Sequence, residues 1–216
     1  MSDSEKPILY SYWRSSCAWR VRIALNLKGI DYEYRTVNLL SKEALDDLSK
    51  YNPARLVPVL VVKGQSIAES LAIIDYLEDV YPEKSLHPKD PILKARAKAI
   101  FLHVACGIQP LQNLKVLQFV NQKTPGYGSE WSAHWITLGL NSLEEMLKKG
   151  SGKYCVGDEI TVADLAIPSI VYNAKRFGVP LTNYPNITRI DEALGKIPEF
   201  QKACPDAQPD AGLNAK

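Results

Sequence analysis

Ile8-Leu9-Tyr10-Ser11-Tyr12-Trp13-Arg14-Ser15-Ser16-Cys17-Ala18-Trp19-Arg20-Val21-Arg22-Ile23-Ala24-Leu25-Asn26-Leu27-Lys28-Gly29 reads as a strand that gives way to a helix. Ile8 to Tyr12 is a compact, aromatic-rich run of strand character. From Ser16 to Lys28 the spacing becomes helical, with Ala18, Val21 and Leu25 on one face and Trp19, Ile23 and Leu27 beside it; Gly29 is a natural stop. Further along, Asp31 to Arg35 alternates charged and aromatic residues, as a half-solvated strand does. A polar helix is expected over Ser41 to Lys50. Val59 to Val62 is a β-branched strand, which Lys63-Gly64-Gln65 turns back into Ser66-Ile67-Ala68. Leu71, Ile73, Ile74, Leu77 and Tyr81 mark a helix that Pro82 ends. The order β-α-β-α-β-β-α describes a small open sheet covered by helices, with an antiparallel closing hairpin.

Pro82 to Pro91 carries three prolines and no apolar period, and is the boundary of the chain. Beyond it no strand is expected. Ile92 to Asn121 and Glu130 to Lys149 read as long helices. Thr161-Val162-Ala163-Asp164 resembles a capping box opening a helix towards Arg176, with a kink or an irregular turn at Pro168, and a further helix is expected from Asn186 to Gly195. The tail, Pro205 to Lys216, is expected to lie loosely on the surface. The expected architecture is therefore an α/β domain over 1–82, a linker over 83–91 and an all-α domain over 92–216.

The 216 residues can bury a sizeable core. A hydrophobic fraction of 46% and a charged fraction of 23% exclude disordered and fibrous classes. A net charge of +2 argues against a nucleic-acid or membrane-surface protein, and no apolar run reaches the ~18 residues of a membrane span. Met1 to Lys6 is neither a secretory signal nor a transit peptide, so a soluble cytoplasmic protein is expected. Cys17, Cys106, Cys155 and Cys204 are widely separated, form no C-x-x-C motif and read as reduced thiols. His87, His103 and His134 have no metal-ligand spacing, so no metal site is expected.

Ser15, Ser16 and Cys17 stand where the first strand meets the first helix. A serine there caps the helix, and the positive end of the helix dipole favours a thiolate, with Arg14 and Arg20 adding positive charge. That thiolate could be Cys17 itself or a bound thiol accepting a hydrogen bond from serine; an ordinary cap followed by a packed cysteine fits equally. Val57 precedes Pro58 at the start of a strand, which holds it extended with backbone groups available to a peptide ligand. Glu69 and Ser70 open the third helix, where a carboxylate and a hydroxyl can receive an amino group and a carboxylate together. Each has a plainer reading as a turn proline or a helix cap.

Taken together, Ser15 to Leu25, Asn52-Pro53, Val57-Pro58 and Glu69-Ser70-Leu71-Ala72-Ile73-Ile74 resemble the zeta class of glutathione transferases, also known as maleylacetoacetate isomerases. Gly107 to Leu114, Tyr154 to Asp158, Val162 to Leu165 and Gln208-Pro209-Asp210 are similar to the same family. The resemblance implies a thioredoxin-like glutathione-binding domain, a helical domain completing the substrate pocket, and a homodimer. It assigns Ser15 to the glutathione sulfur, with Ser16 and Cys17 completing the catalytic group and Ala18, Trp19 and Arg20 continuing the segment. Val57, before a cis Pro58, would pair with the cysteinyl unit of glutathione. Glu69, where the family commonly has glutamine, would hold the γ-glutamyl end with Ser70. Gln109, Asn113, Leu114 and Lys115 match positions of the glutathione pocket, and the family's glutamine on the second helix falls at Glu43. Arg176, with Arg14, is implied for the substrate carboxylates.

The implied reaction is cis–trans isomerisation of maleylacetoacetate to fumarylacetoacetate in tyrosine and phenylalanine catabolism, with transferase activity towards small electrophiles such as α-haloacids. The double bond is conjugated to carbonyl groups, so a thiolate can add, permit rotation and leave. The protein must favour thiolate over thiol, hold a dianion and stabilise an enolate, for which the helix N-terminus or Ser16 is the candidate. The competing readings are a general glutathione-conjugating enzyme, a thioltransferase acting through Cys17, and a non-catalytic binding module.

Overall fold

The computed structural model describes residues 6–213. They fall into two compact units, Met1–Ser85 with Pro198–Lys216, and Leu86–Ile197.

In the first unit β1 (Ile8–Ser11), α1 (Ser16–Lys28), β2 (Glu33–Thr36), α2 (Lys42–Leu48), β3 (Val59–Val62), β4 (Gln65–Ala68) and α3 (Ser70–Val80) follow in order. This is the expected βαβαββα succession. Among the described residues the strands form one sheet ordered β2-β1-β3-β4, with β2 parallel to β1 and both remaining pairings antiparallel. Apolar side chains cover both faces. Val59 and Val61 join Tyr12, Trp13, Val37 and Leu48 in one cluster, while Leu9 and Leu60, which alternate with them along the strands, are wholly buried on the opposite face. α1 is buried from Ala18 to Leu25, including both arginines, and ends where Gly29 takes φ 69, a left-handed conformation that spares a side chain's Cβ.

A buried ion pair joins the ends of α1 and α3. Lys28 Nζ lies 2.8 Å from Glu78 Oε1, with side-chain exposures of 1% and 7%. Lys28 also donates to the carbonyls of Tyr81 and Lys84, and Ser85 Oγ donates to Glu78 Oε2 at 2.6 Å. Both charges are thus saturated with partners, the condition under which a buried pair is tolerated.

The described part of the expected tail, 205–213, does not lie loosely, and 214–216 lie outside the described residues. α9 (Pro198–Ala203) and the 3₁₀ turn Pro205–Ala207 belong to the first unit, and α9 packs on α1. The reason is polar as well as apolar: Asn26 Nδ2 donates to Glu199 O, and Arg22 Nε donates to Ala203 O at 3.0 Å. The expected helical domain over 92–216 therefore loses its last nineteen residues to the first unit, which itself runs on to Ser85.

The second unit is helical, with an isolated bridge between Ser151 and Gly157 outside any named strand. The expected helix over Ile92 to Asn121 is broken. α4 (Pro91–Leu102) passes through a π-helical turn, His103–Ile108, and a 3₁₀ turn, Gln109–Gln112, before α5 (Leu114–Lys123). Pro110 has no N–H to continue the ladder. α6 (Gly128–Lys148) approaches this break closely at Gly139, where a Cβ would stand 2.4 Å from Ile108. His103 Nε2 lies 3.0 Å from Gly139 O. The Thr161–Asp164 capping box is present, with both Asp164 oxygens engaged by Cys155 N, Thr161 N and Thr161 Oγ1. It opens the 3₁₀ turn Val162–Ala166. Of the two expectations the irregular turn is the one found, as that 3₁₀ turn; Pro168 itself sits in the first turn of α7 (Ile167–Arg176), where no donor is required, so it starts a helix rather than kinking one. α8 (Pro185–Leu194) is capped from α6: Glu144 accepts from Asn186 N, Asn186 Nδ2 and Ile187 N.

Lys28→Ala leaves the Glu78 carboxylate buried without its ammonium partner and is expected to destabilise the protein by about 3 kcal/mol in denaturant unfolding. The double variant Lys28→Met with Glu78→Leu is expected to recover most of that loss. Equal losses in the single and double variants would show that the pair holds no coupled charge.

Candidate active site

The sheet register gathers the candidate residues of the first unit. Tyr10 in β1 pairs with Val59 in β3, and Val59 pairs with Ala68 in β4. Because both pairings are antiparallel, the end of β1, the start of β3 and the end of β4 meet at one edge of the sheet. Ser15, Val57-Pro58 and Glu69-Ser70 lie just beyond those three strand ends. α1 and α3 both begin there and pack against each other, so two positive helix ends face the same edge.

Ser15 is the N-cap of α1. Its Oγ accepts from Ala18 N at 3.2 Å, and its own N–H donates to Tyr12 O at 2.9 Å. The cap uses the oxygen as acceptor and leaves the hydroxyl proton to be directed elsewhere. Ser16 is buried, Cys17 is half-buried, and the first turn of α1 holds no acidic residue. Arg20 Nη1 lies 3.9 Å from Cys17 Sγ, and the Arg20 side chain is almost wholly buried. The guanidinium, the helix end and the absence of carboxylates from that turn all favour negative charge there. Ala18 and Trp19 are buried within the helix, and the Ala18 N–H is committed to the cap. Arg14 stands beside the turn with its guanidinium 5.1 Å from the Trp13 ring centroid.

The Val57-Pro58 peptide is cis. Val57 precedes the paired register, which starts at Val59, so the sheet ladder makes no claim on it. The loop before it is held by Asn52, whose Oδ1 accepts from Ala54 N at 3.0 Å and whose Nδ2 donates to Leu56 O at 2.8 Å. Glu69 takes φ 70 and ψ 119 and caps α3 without a side-chain bond to the helix. For a residue with a Cβ this conformation stores on the order of 1–3 kcal/mol, a pattern concentrated at ligand sites. Its side chain is exposed while Ser70 is buried, so carboxylate and hydroxyl stand together at the α3 terminus. Glu43 is in the first turn of α2, which Ser41 caps.

The remaining candidates belong to the second unit. Gln109 lies in the 3₁₀ turn, Asn113 is the N-cap of α5, and Leu114 and Lys115 begin that helix. One break in the helical run, at Pro110, thus collects all four. Arg176 ends α7, exposed, with its guanidinium 5.0 Å from the Phe177 ring centroid. Of the other cysteines, Cys155 is buried, Cys204 half-buried and Cys106 exposed. No helix among the described residues is long and apolar enough to cross a membrane.

Residues 14–80 match the family Glutathione S-transferase, N-terminal domain, and residues 119–202 match Glutathione S-transferase, C-terminal domain. The chain is 58% identical over 213 residues to a probable maleylacetoacetate isomerase of Caenorhabditis elegans, covering 99% of this chain and 100% of the relative. It is 47% identical to the maleylacetoacetate isomerase of Rattus norvegicus, covering 95% of each. Among solved structures, the maleylacetoacetate isomerase of Anaeromyxobacter dehalogenans with glutathione bound in its active site superposes with a TM-score of 0.88 at 44% identity, covering 95% of this chain and 98% of that one. The holo structure of a zeta-class maleyl pyruvate isomerase gives 0.90 at 38% identity, covering 95% and 100%. With three strand ends, a capping serine and two helix termini gathered at one sheet edge, and relatives of this likeness along its whole length, the chain belongs to the glutathione S-transferases of the zeta class, the class of the maleylacetoacetate isomerases.

Proposed function

We propose that the protein isomerises maleylacetoacetate to fumarylacetoacetate with glutathione as its cofactor, and that it transfers glutathione to small electrophiles such as α-haloacids. The observation that carries this reading is the meeting of the Ser15 cap, the Val57 backbone and the Glu69-Ser70 helix start at one sheet edge. The donor set fits a tripeptide with a thiol in its middle. Serine and a positive helix end suit the sulfur, an unladdered backbone suits the central peptide unit, and a carboxylate beside a second helix end suits an α-amino acid. Glutathione, when bound, supplies a thiolate that can add reversibly to an activated double bond.

The chain's own residues then have distinct tasks. Ser15 donates its hydroxyl proton towards the sulfur and so favours the ionised form, which the α1 terminus reinforces. Val57 offers its N–H and carbonyl as a strand edge. Glu69 takes the amino group and Ser70 with the α3 terminus takes the carboxylate; an anionic Glu69 in place of the family's glutamine strengthens the first of these. Gln109, Asn113, Leu114 and Lys115 are the second unit's candidates for binding glutathione, and Arg176 and Arg14 are the candidates for the two carboxylates of the substrate. The α1 terminus and Ser16 stabilise negative charge developing on the substrate carbonyl. We place the protein in the cytoplasm, in tyrosine and phenylalanine breakdown, as a homodimer.

A second reading, disulfide exchange through Cys17, draws on the Arg20 guanidinium near its sulfur. The two readings separate cleanly. Ser15→Ala is expected to lower isomerase turnover by more than about tenfold, the loss of one charge-assisted hydrogen bond, while Cys17→Ala retains most of it. The opposite ranking, measured as kcat in the two variants, would move the chemistry to Cys17. Arg176→Ala is expected to raise KM for maleylacetoacetate well beyond any rise in KM for glutathione. Equal rises would make Arg176 a structural residue.

A further inference from the structure

The turn that delivers Ser15 is held by residues remote in sequence. Tyr12 O accepts from Ser15 N at 2.9 Å and from Arg22 Nη1 at 3.3 Å, and Trp13 O accepts from Arg22 Nη2 at 2.9 Å. Arg22 Nη1 also donates to Ser11 Oγ at 3.2 Å, and its Nε reaches Ala203 O in α9. The Arg22 side chain is wholly buried, and the acceptors of these bonds are uncharged oxygens. Burial pushes its guanidinium down to about 10, which leaves it charged at neutral pH.

From the other side, Asp210 Oδ2 accepts Trp13 N at 3.0 Å, and its Oδ1 accepts the Tyr34 hydroxyl at 2.6 Å. Leu213 O accepts both the Tyr12 hydroxyl, at 2.9 Å, and Trp13 Nε1, at 2.7 Å. Gln208, itself buried, folds the tail back by donating to the carbonyls of Lys202 and Cys204. Backbone and side chains of Tyr12 and Trp13 are therefore both tied, through Arg22 and through a tail whose Leu213 lies 201 positions beyond Tyr12.

We infer that the tail from Ala203 to Leu213 is a positioning element of the active site: Asp210, Leu213 and Arg22 clamp the turn Ser11–Trp13 and so aim the Ser15 hydroxyl at the cofactor sulfur. None of the three touches the reacting atoms; each acts through the turn. The inference rests on the assignment of Ser15 to the sulfur.

The test is the ionisation of bound glutathione, followed by the ultraviolet absorbance of its thiolate as pH is varied, in the full chain. Asp210→Ala is expected to raise the thiol pKa by about half a unit or more and to lower kcat about tenfold, with the calorimetric Kd for glutathione within about twofold of the parent. Asp210→Asn keeps an oxygen for the Trp13 N–H and is expected to restore most of the titration. A chain ending at Gly212, which lacks the Leu213 carbonyl, is expected to shift the titration in the same direction and serves as the second variant should Asp210→Ala unfold. If Ser15→Ala moves the titration and neither tail variant does, the tail is not a positioning element and the inference falls. If Ser15→Ala itself leaves the titration unmoved, it is the assignment of Ser15 that fails, and the tail loses its role with it.

Discussion

Two antiparallel pairings, Tyr10 with Val59 and Val59 with Ala68, determine where the candidate site residues of the first unit meet. They bring three strand ends and two helix starts to one edge, although those segments lie far apart in sequence. The pairings are pinned because β3 is buried on both faces: Val59 and Val61 on one, Leu60 on the other. A slip of one residue would exchange these faces and strand the valines opposite the wrong cluster. It would also carry Pro58 and Val57 away from the end of β1. Core packing and site geometry are thus the same constraint seen from two sides.

Arg22 shows how a buried charge can serve that arrangement. A guanidinium out of water is expensive unless its donors are occupied. Here its fork reaches three backbone carbonyls and one hydroxyl on two different segments, which an ammonium on a flexible stem would not span at once. The residue converts desolvation into rigidity of the turn before Ser15. Lys28 with Glu78 is the contrasting solution at the other end of α1, where charge is met by charge.

Much of this is legible in the residues. The strand-to-helix change at Ser15, the hairpin at Gly64 and the capping box at Thr161 are local signals, set by spacing and turn chemistry, and the structure carries each of them. The family resemblance adds the candidate site from motifs that spacing alone leaves ambiguous. The features that escape the sequence are those decided by distant partners. The tail from Pro205 is rich in proline, aspartate, alanine and glycine, and reads as loose because nothing in it reveals that Tyr12, Trp13 and Tyr34 supply its hydrogen bonds. The helix expected to run through Pro110 breaks there, and Pro168 opens a helix instead of bending one. Both prolines are visible in the sequence, and at each the missing N–H outweighs the apolar period around it. The left-handed Glu69 gives no warning, since a glutamate carries no propensity for φ 70.

In its chemistry the protein asks little of its side chains. In the proposed reaction a serine hydroxyl and two helix ends, brought together by the sheet register, favour an ionised thiol. The claim that joins all of these parts is that glutathione is required for, and not consumed by, a cis–trans isomerisation. The most direct measurement is the conversion of maleylacetoacetate by the purified protein with and without glutathione, together with the glutathione remaining at completion. The account predicts rapid formation of fumarylacetoacetate only when glutathione is present, with its concentration unchanged. Conversion without glutathione, or its stoichiometric loss, would contradict it.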